Sequence, residues 1–258
     1  MKNTPQDPSR SRSDIRPDMT VSELVIQFPQ MRLHLEKMGI DYCCGGKLPL
    51  SAAATQAGVE WSMMLAALKD VLTSEPKNCD STDWNSVSLS VLVDHIVNTH
   101  HVFTKEQLPR LNDLGARVEK AHAAEHGEML RHLRRVYGSL RDELGPHLMK
   151  EEQILFPAIK GIDAFMSGAG VRPVVHCSSV ANPISQMEHE HESAGSALAE
   201  LRQLTGNYQL PADACQTFAA LYEGLQALEA DLHEHIHLEN NILYPKSIAQ
   251  EQEMLKNA

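Results

Sequence analysis

Residues 147–157 read HLMKEEQILFP and residues 235–245 read HIHLENNILYP, one pattern stated twice, 88 positions apart. In each copy a His stands four residues before a Glu, and Ile-Leu-aromatic-Pro begins three residues after that Glu. Spacing of four puts both side chains on one face of a helix, with Cβ atoms about 5–6 Å apart. Each copy also has a His well upstream that follows an acid: Asp94-His95 for the first and Glu190-His191 for the second. Two such halves constrain the chain to a pseudo-twofold helical scaffold, each half giving two imidazoles and one carboxylate. A single His-x-x-x-Glu pair is more often a solvated helix face. Two pairs inside matching apolar stripes are another matter, because a charged pair facing a core needs a partner such as a metal to offset desolvation.

The remaining sequence narrows the class. With 258 residues, 42% of them apolar, the chain can bury a sizeable core. Its net charge of −11 rules out a basic nucleic-acid footprint. No uncharged apolar run reaches bilayer-spanning length, so no membrane association is expected. The start, MKNTPQDPSRSRSD, lacks the apolar core of a secretory signal. Five cysteines in an unexported chain suggest reduced thiols, and the expected location is cytoplasmic. Few aromatics and abundant Ala, Leu, Met and Glu favour an all-α protein.

Residues 1–18 are rich in Pro, Ser and charge without periodicity and read as a disordered tail. Residues 19–80 read as a small helical N-terminal domain: a helix pair interrupted by Pro29 and stopped by Gly39, a DYCCGGK loop, and helices near 50–57 and 60–73. Pro76, Asp80, Ser81 and Asp83 mark a boundary. Across 85–250, helices are expected at roughly 88–113, 121–160, 183–206 and 212–249, with a Gly/Ser-rich connection between the second and third. That is the pattern of an antiparallel four-helix bundle. In it the start of the first helix lies beside the end of the second, and the third and fourth do likewise, which gathers His95, His147, His191 and His235 at one level.

Four imidazoles and two carboxylates make a dinuclear site: each metal takes two His, with Glu151 and Glu239 bridging. Such ligands suit iron or manganese and tolerate zinc. Glu143 and Asp231, one turn back along each stripe, suit holding a free ring nitrogen, orienting water or filling an open coordination position, and Glu190 is expected to stand behind the ligands with them.

DYCCGGK at 41–47, DHI at 94–96, HLMKEEQILFP at 147–157, MEHEHESAG at 187–195 and HIHLENNILYP at 235–245 occur in the order found in a known family. Over about residues 20–248 the chain resembles the di-iron proteins of iron–sulfur cluster repair (the RIC, or ScdA/YtfE/DnrN, group). Within that group it is similar to nitric-oxide-binding di-iron proteins of denitrifying bacteria. The resemblance implies a hemerythrin-like bundle and two non-haem, carboxylate- or oxo-bridged iron ions held by His95, His147, Glu151, His191, His235 and Glu239. It also implies a part in the nitrosative and oxidative stress response, with damaged iron–sulfur proteins as clients and nitric oxide or another small diatomic as ligand. Position 195, four after His191, is Gly where an oxygen-carrying hemerythrin has a further His. That departure weighs against oxygen carriage.

Three functions share this centre: repair of damaged clusters, stoichiometric trapping of nitric oxide, and reduction of nitric oxide with electrons passing through Cys43 and Cys44. These adjacent thiols are the redox candidates; they also suit thiol exchange, soft-metal capture or plain packing. Cys79, Cys177 and Cys215 read as incidental. HAAEH at 122–126 matches an inverted zinc-peptidase motif but has no third ligand, and reads as polar residues at a helix start. His100, His101, His132, His189, His233 and His237 are expected to face mostly away, with His101 the nearest to the cavity but no ligand. The N-terminal unit is suited to homodimer formation or to gating access to the bundle.

Overall fold

The computed structural model describes residues 15–73, 82–173 and 179–256. Residues 1–14 of the expected tail, Pro76, Asp80 and Ser81 of the expected boundary, Cys79 and Cys177 lie outside the described residues. The chain divides between Thr82 and Asp83 into two compact units.

The first unit begins before residue 19: Ile15 is buried, and the Met19 amide donates to the Arg16 carbonyl at 3.2 Å. Helix α1 (Val21–Gln27) opens with a reciprocal cap, Thr20 accepting from the Glu23 amide and Glu23 from the Thr20 amide. A single 3₁₀ turn at Pro29–Met31 absorbs the proline and leads into α2 (Arg32–Lys37). Gly39, at φ +72°, ends that pair in the left-handed region. Helices α3 (Leu50–Gln56) and α4 (Trp61–Thr73) complete the unit around Leu24, Met31, Leu35, Leu50, Met64 and Leu68.

The second unit is the expected bundle, with longer helices. Helix α5 (Leu89–Ile96), capped by Ser88, runs through a π turn at Val97–His101 into α6 (Val102–Lys150). This helix spans both arms of a hairpin that breaks at His122 (φ −118°, ψ 23°), so the loop expected near 114–120 is helical. The arms are held together by the Tyr137 hydroxyl on the Leu108 carbonyl (2.8 Å) and by Arg141 on Asn112 (2.7 Å). A second π turn, Glu151–Leu155, leads to α7 (Phe156–Met166). The second half repeats the plan with α8 (Ala181–Leu204), α9 (Gln216–Leu238), a π turn at Glu239–Leu243 and α10 (Tyr244–Lys256). Leu111, Leu130, Leu140, Leu198, Phe218 and Leu225 fill the core shared by α6, α8 and α9. Burying each contributes roughly 1.5–3 kcal/mol.

The repeat reaches past its ligand motif. Asp163 on α7 caps α5, its carboxylate accepting from the Ser90 amide (3.0 Å) and hydroxyl (2.6 Å). Glu251 on α10, 88 residues later, accepts from the Val180 amide (3.0 Å) at the start of α8. Each half therefore fixes the helix carrying its upstream His with an acid twelve residues beyond its motif Glu.

Candidate metal centre

The prolines of the two motifs explain the backbone beside the site. Pro157 and Pro245 have no amide to donate, and their rings would clash with the carbonyl four residues back. The chain widens instead: the amides of Phe156 and Tyr244 reach back five residues to the carbonyls of Glu151 and Glu239. A motif Glu thus stands at the first position of each of these two π turns, a local form frequent at functional sites.

Two groups of ligand atoms converge there, His101, Glu151, His235 and Glu239 in one, His147, Glu151, His191 and Glu239 in the other. Both carboxylates belong to both groups, and each group draws one His from each half. Glu151 Oε2 is 3.4 Å from His101 Nε2, and Glu151 Oε1 is 3.4 Å from His147 Nε2. Glu239 Oε1 is 3.0 Å from His235 Nε2, and Glu239 Oε2 is 3.2 Å from His191 Nε2. His147 and His191 face each other through Nε2 atoms 3.1 Å apart. Both carboxylates are wholly inaccessible to solvent, and the four imidazoles nearly so.

Five of the six expected ligands come together. The sixth, His95, does not: its ring stacks on Trp84 with centroids 4.0 Å apart, and His101 occupies the place expected for it. The spacing of the repeat carried this signal. His191 lies 90 residues after His101 but 96 after His95, against the 88 that separates the two motifs.

Three imidazoles are oriented through Nδ1: His147 by Glu190 Oε2 (2.8 Å), His101 by Glu152 Oε1 (2.7 Å) and His191 by Asn240 Oδ1 (2.9 Å). Glu190, which holds His147, is itself braced by Lys150. Glu152 and Asn240, each one residue after a motif Glu, were not anticipated; they are symmetry mates. Asp231 holds the buried His100 (2.9 Å) and none of the four converging imidazoles, and Glu143 accepts from Ser139 and Ser193. The halves differ at their aromatic position. Tyr244 donates its hydroxyl to Glu151 Oε1 at 2.7 Å, while its counterpart Phe156 packs beside His101 with nothing to donate.

Electrostatics follow from this crowding. Burial alone would drive His191 toward the neutral form, but Glu239 and then Glu151 raise it to about 9. His235 moves down because its burial prevails. Burial pushes Glu190 up, yet hydrogen bonds from Lys150, Gln186 and His147 bring it to about 2. Among the described residues, His101 Nε2, His235 Nε2, Glu151 Oε2 and both Glu239 oxygens have no hydrogen bond of good geometry. Buried donors and acceptors left this way cost about 1–3 kcal/mol each. Imidazole and carboxylate ligands converging on the same small volume are the donor set that hard and borderline divalent cations require, so the residues fit a metal pair.

In the N-terminal unit, Asp41, Cys43 and Cys44 form a third potential ligand group. Asp41 Oδ1 accepts from the Cys43 amide and the Cys44 amide, both at 2.9 Å, and from Cys43 Sγ at 3.1 Å. The sulfurs stand 3.8 Å apart. Cys44 as a hydrogen-bond partner, burial, and Asp41 all push the Cys43 thiol well up, so it is held as a thiol.

Among the described residues no helix is long and apolar enough to cross a membrane. The hemerythrin HHE cation binding domain matches residues 92–247, and a domain of unknown function termed ScdA_N matches residues 17–72. Similar curated proteins include the "Iron-sulfur cluster repair protein YtfE" of Enterobacter sp. (strain 638), 39% identical over 91% of this chain and 98% of that protein. Proteins of the same name from Escherichia coli O81 (strain ED1a) and Salmonella choleraesuis (strain SC-B67) are each 38% identical over the same shares.

Proposed function

The chain belongs to the hemerythrin HHE cation-binding family and, by its full-length similarity, to the iron–sulfur cluster repair group within it; on that premise we propose that it is a cytoplasmic di-iron protein that helps restore iron–sulfur clusters damaged by nitric oxide or oxidants. The observation that carries this reading is that Glu151 and Glu239 each belong to both groups of converging imidazoles. His101 and His235 would hold one ion, His147 and His191 the other, with the two carboxylates shared between them. Bound there, a pair of non-haem irons supplies redox change, exchangeable metal and open positions for a small diatomic ligand.

The protein's own groups do the rest. Glu152, Glu190 and Asn240 fix the rotation of three imidazoles and direct each Nε2 inward. Tyr244 supports Glu151 from the opposite half. Leu140, Leu144, Leu232 and Ile236 line a small pocket against His147, His191 and His235 and limit the water that reaches them. The repair reading is tested by adding iron-loaded protein to a nitrosylated or oxidised cluster enzyme. Recovery should be faster than with equal free iron; an equal rate removes it.

That apolar pocket beside three imidazoles favours a second activity at the same centre, capture of nitric oxide, an uncharged diatomic. Anaerobic titration of the reduced protein with nitric oxide should give iron-nitrosyl absorption that saturates. Continued consumption with a reductant would instead mark a reductase, for which the Cys43–Cys44 dithiol is the candidate electron donor.

A further inference from the structure

At the far end of the bundle, four side chains that the metal centre does not use come together. His122, the residue at which the two arms of α6 break, points Nε2 at the exposed Cys215 Sγ, 3.3 Å away. Its other nitrogen, Nδ1, lies 3.8 Å from Asp213 Oδ2. His126 grips both oxygens of Asp213, at 3.0 and 3.1 Å, which keeps that carboxylate ionised. Phe218 packs against both imidazoles, with ring centroids at 5.1 and 5.9 Å. His122 and His126 are the outer residues of HAAEH, so the apparent zinc-peptidase motif and a cysteine that reads as isolated belong to one cluster.

The order sulfur, imidazole, carboxylate is the arrangement in which a base activates a nucleophile and a third group orients the base. Cys215 is also the N-cap of the 23-residue helix α9. The amides of Thr217 and Phe218 in the first turn of that helix favour negative charge on the Cys215 sulfur. We propose that Cys215, with His122 as its proton partner and Asp213 as a positioning residue, is a reactive thiolate that exchanges with low-molecular-weight disulfides, making this end of the bundle a site of reversible thiol modification.

The step balances without a further oxidant. Cys215 S⁻ attacks one sulfur of the disulfide, the old S–S bond breaks as the Cys215–S–S bond forms, and the proton held on His122 goes to the departing thiolate. The Cys215 sulfur is oxidised to the disulfide level as the departing sulfur is reduced to a thiol, while the retained sulfur is unchanged. Cys215 is the one cysteine among the described residues of this unit, and attack by an external thiol on the mixed disulfide reverses the modification.

His122 first, and the amides of Phe218 and Thr217 after it, bring the Cys215 thiol down to about 7. His122 is raised by Cys215 before Asp213 and Glu125, the charged neighbours of the pair. At about pH 6 such a thiol is roughly a tenth thiolate, roughly 30 times the fraction of an ordinary one; its weaker nucleophilicity takes back a factor of about five, leaving about a sixfold gain.

The test treats the full-length, metal-loaded protein with glutathione disulfide at about pH 6 and follows mass addition at each cysteine by peptide mapping. Cys215 should react about sixfold faster than in the urea-unfolded chain, and His122→Gln should abolish the gain while Asp213→Asn reduces it. Equal rates at Cys215 in folded and unfolded protein, or an undiminished rate in folded His122→Gln, would overturn the proposal. If His122→Gln does not fold, the pH profile of Cys215 alkylation by iodoacetamide in the unaltered chain decides. A half-point near 7 supports the thiolate pair, and one at or above about 8.5 removes it.

Discussion

The Tyr244 hydroxyl lies 2.7 Å from Glu151 Oε1, so the second half of the repeat supplies the hydrogen bond that steadies the buried carboxylate of the first. Phe156, at the equivalent place, returns nothing to Glu239 through its ring. Tyr244→Phe would make the halves alike and leave one Glu151 oxygen without its donor. The expected cost is about 1–3 kcal/mol, because a buried acceptor of charged type loses its partner. Denaturant unfolding of the metal-loaded protein measures it, and an unchanged midpoint would mean that the hydroxyl is dispensable.

Gly224 on α9 lies against Leu111 and Arg110 in the first arm of α6. A Cβ there would stand 2.5 Å from Leu111 Cδ2 and 2.9 Å from Arg110 Nη1. Arg110 can swing into solvent, but Leu111 is buried in the core and has little room to give. Gly224→Ala should therefore destabilise by about 1–3 kcal/mol, the usual range for overpacking. A neutral or stabilising result, read from the urea midpoint, would show that the two helices separate more easily than their packing implies.

Alkaline stability should fall in a defined window. Burial raises Tyr222 to about 12 and pushes Tyr137 up further, with Arg141 opposing in the latter case. Both hydroxyls are held neutral in the folded chain, so their contribution is complete below the unfolded value near 10 and is lost as pH rises from there through the folded values. Urea midpoints from about pH 8 to 12 should be level and then decline above 10, less steeply in Tyr222→Phe. A decline of equal slope in that variant would place the loss elsewhere.

The fold was legible because its signals are local and doubled. Helical periodicity, the two His-x-x-x-Glu pairs and the intervening Gly/Ser segment suffice for an all-α bundle carrying His147, Glu151, His235 and Glu239 on inward faces. An acid before a His points to His95, whereas the spacing of the repeat points to His101, the imidazole that converges with Glu151, His235 and Glu239. His95 lies six residues before His101, on a different helix face, and only the register of the hairpin brings His101 beside Glu152. That register depends on where α6 breaks, and the break at His122 has no Gly or Pro to announce it. The partnership of His122 with Cys215 joins residues 93 apart, beyond any local pattern.

Metal content of the purified wild type, His101→Ala and His95→Ala tests the centre most directly. Wild type and His95→Ala should each carry about two ions per chain, and His101→Ala about one or fewer, since removing a ligand lowers affinity steeply while removing a stacked ring on Trp84 does not. Full loading of His101→Ala together with loss from His95→Ala would contradict the site as it is built here.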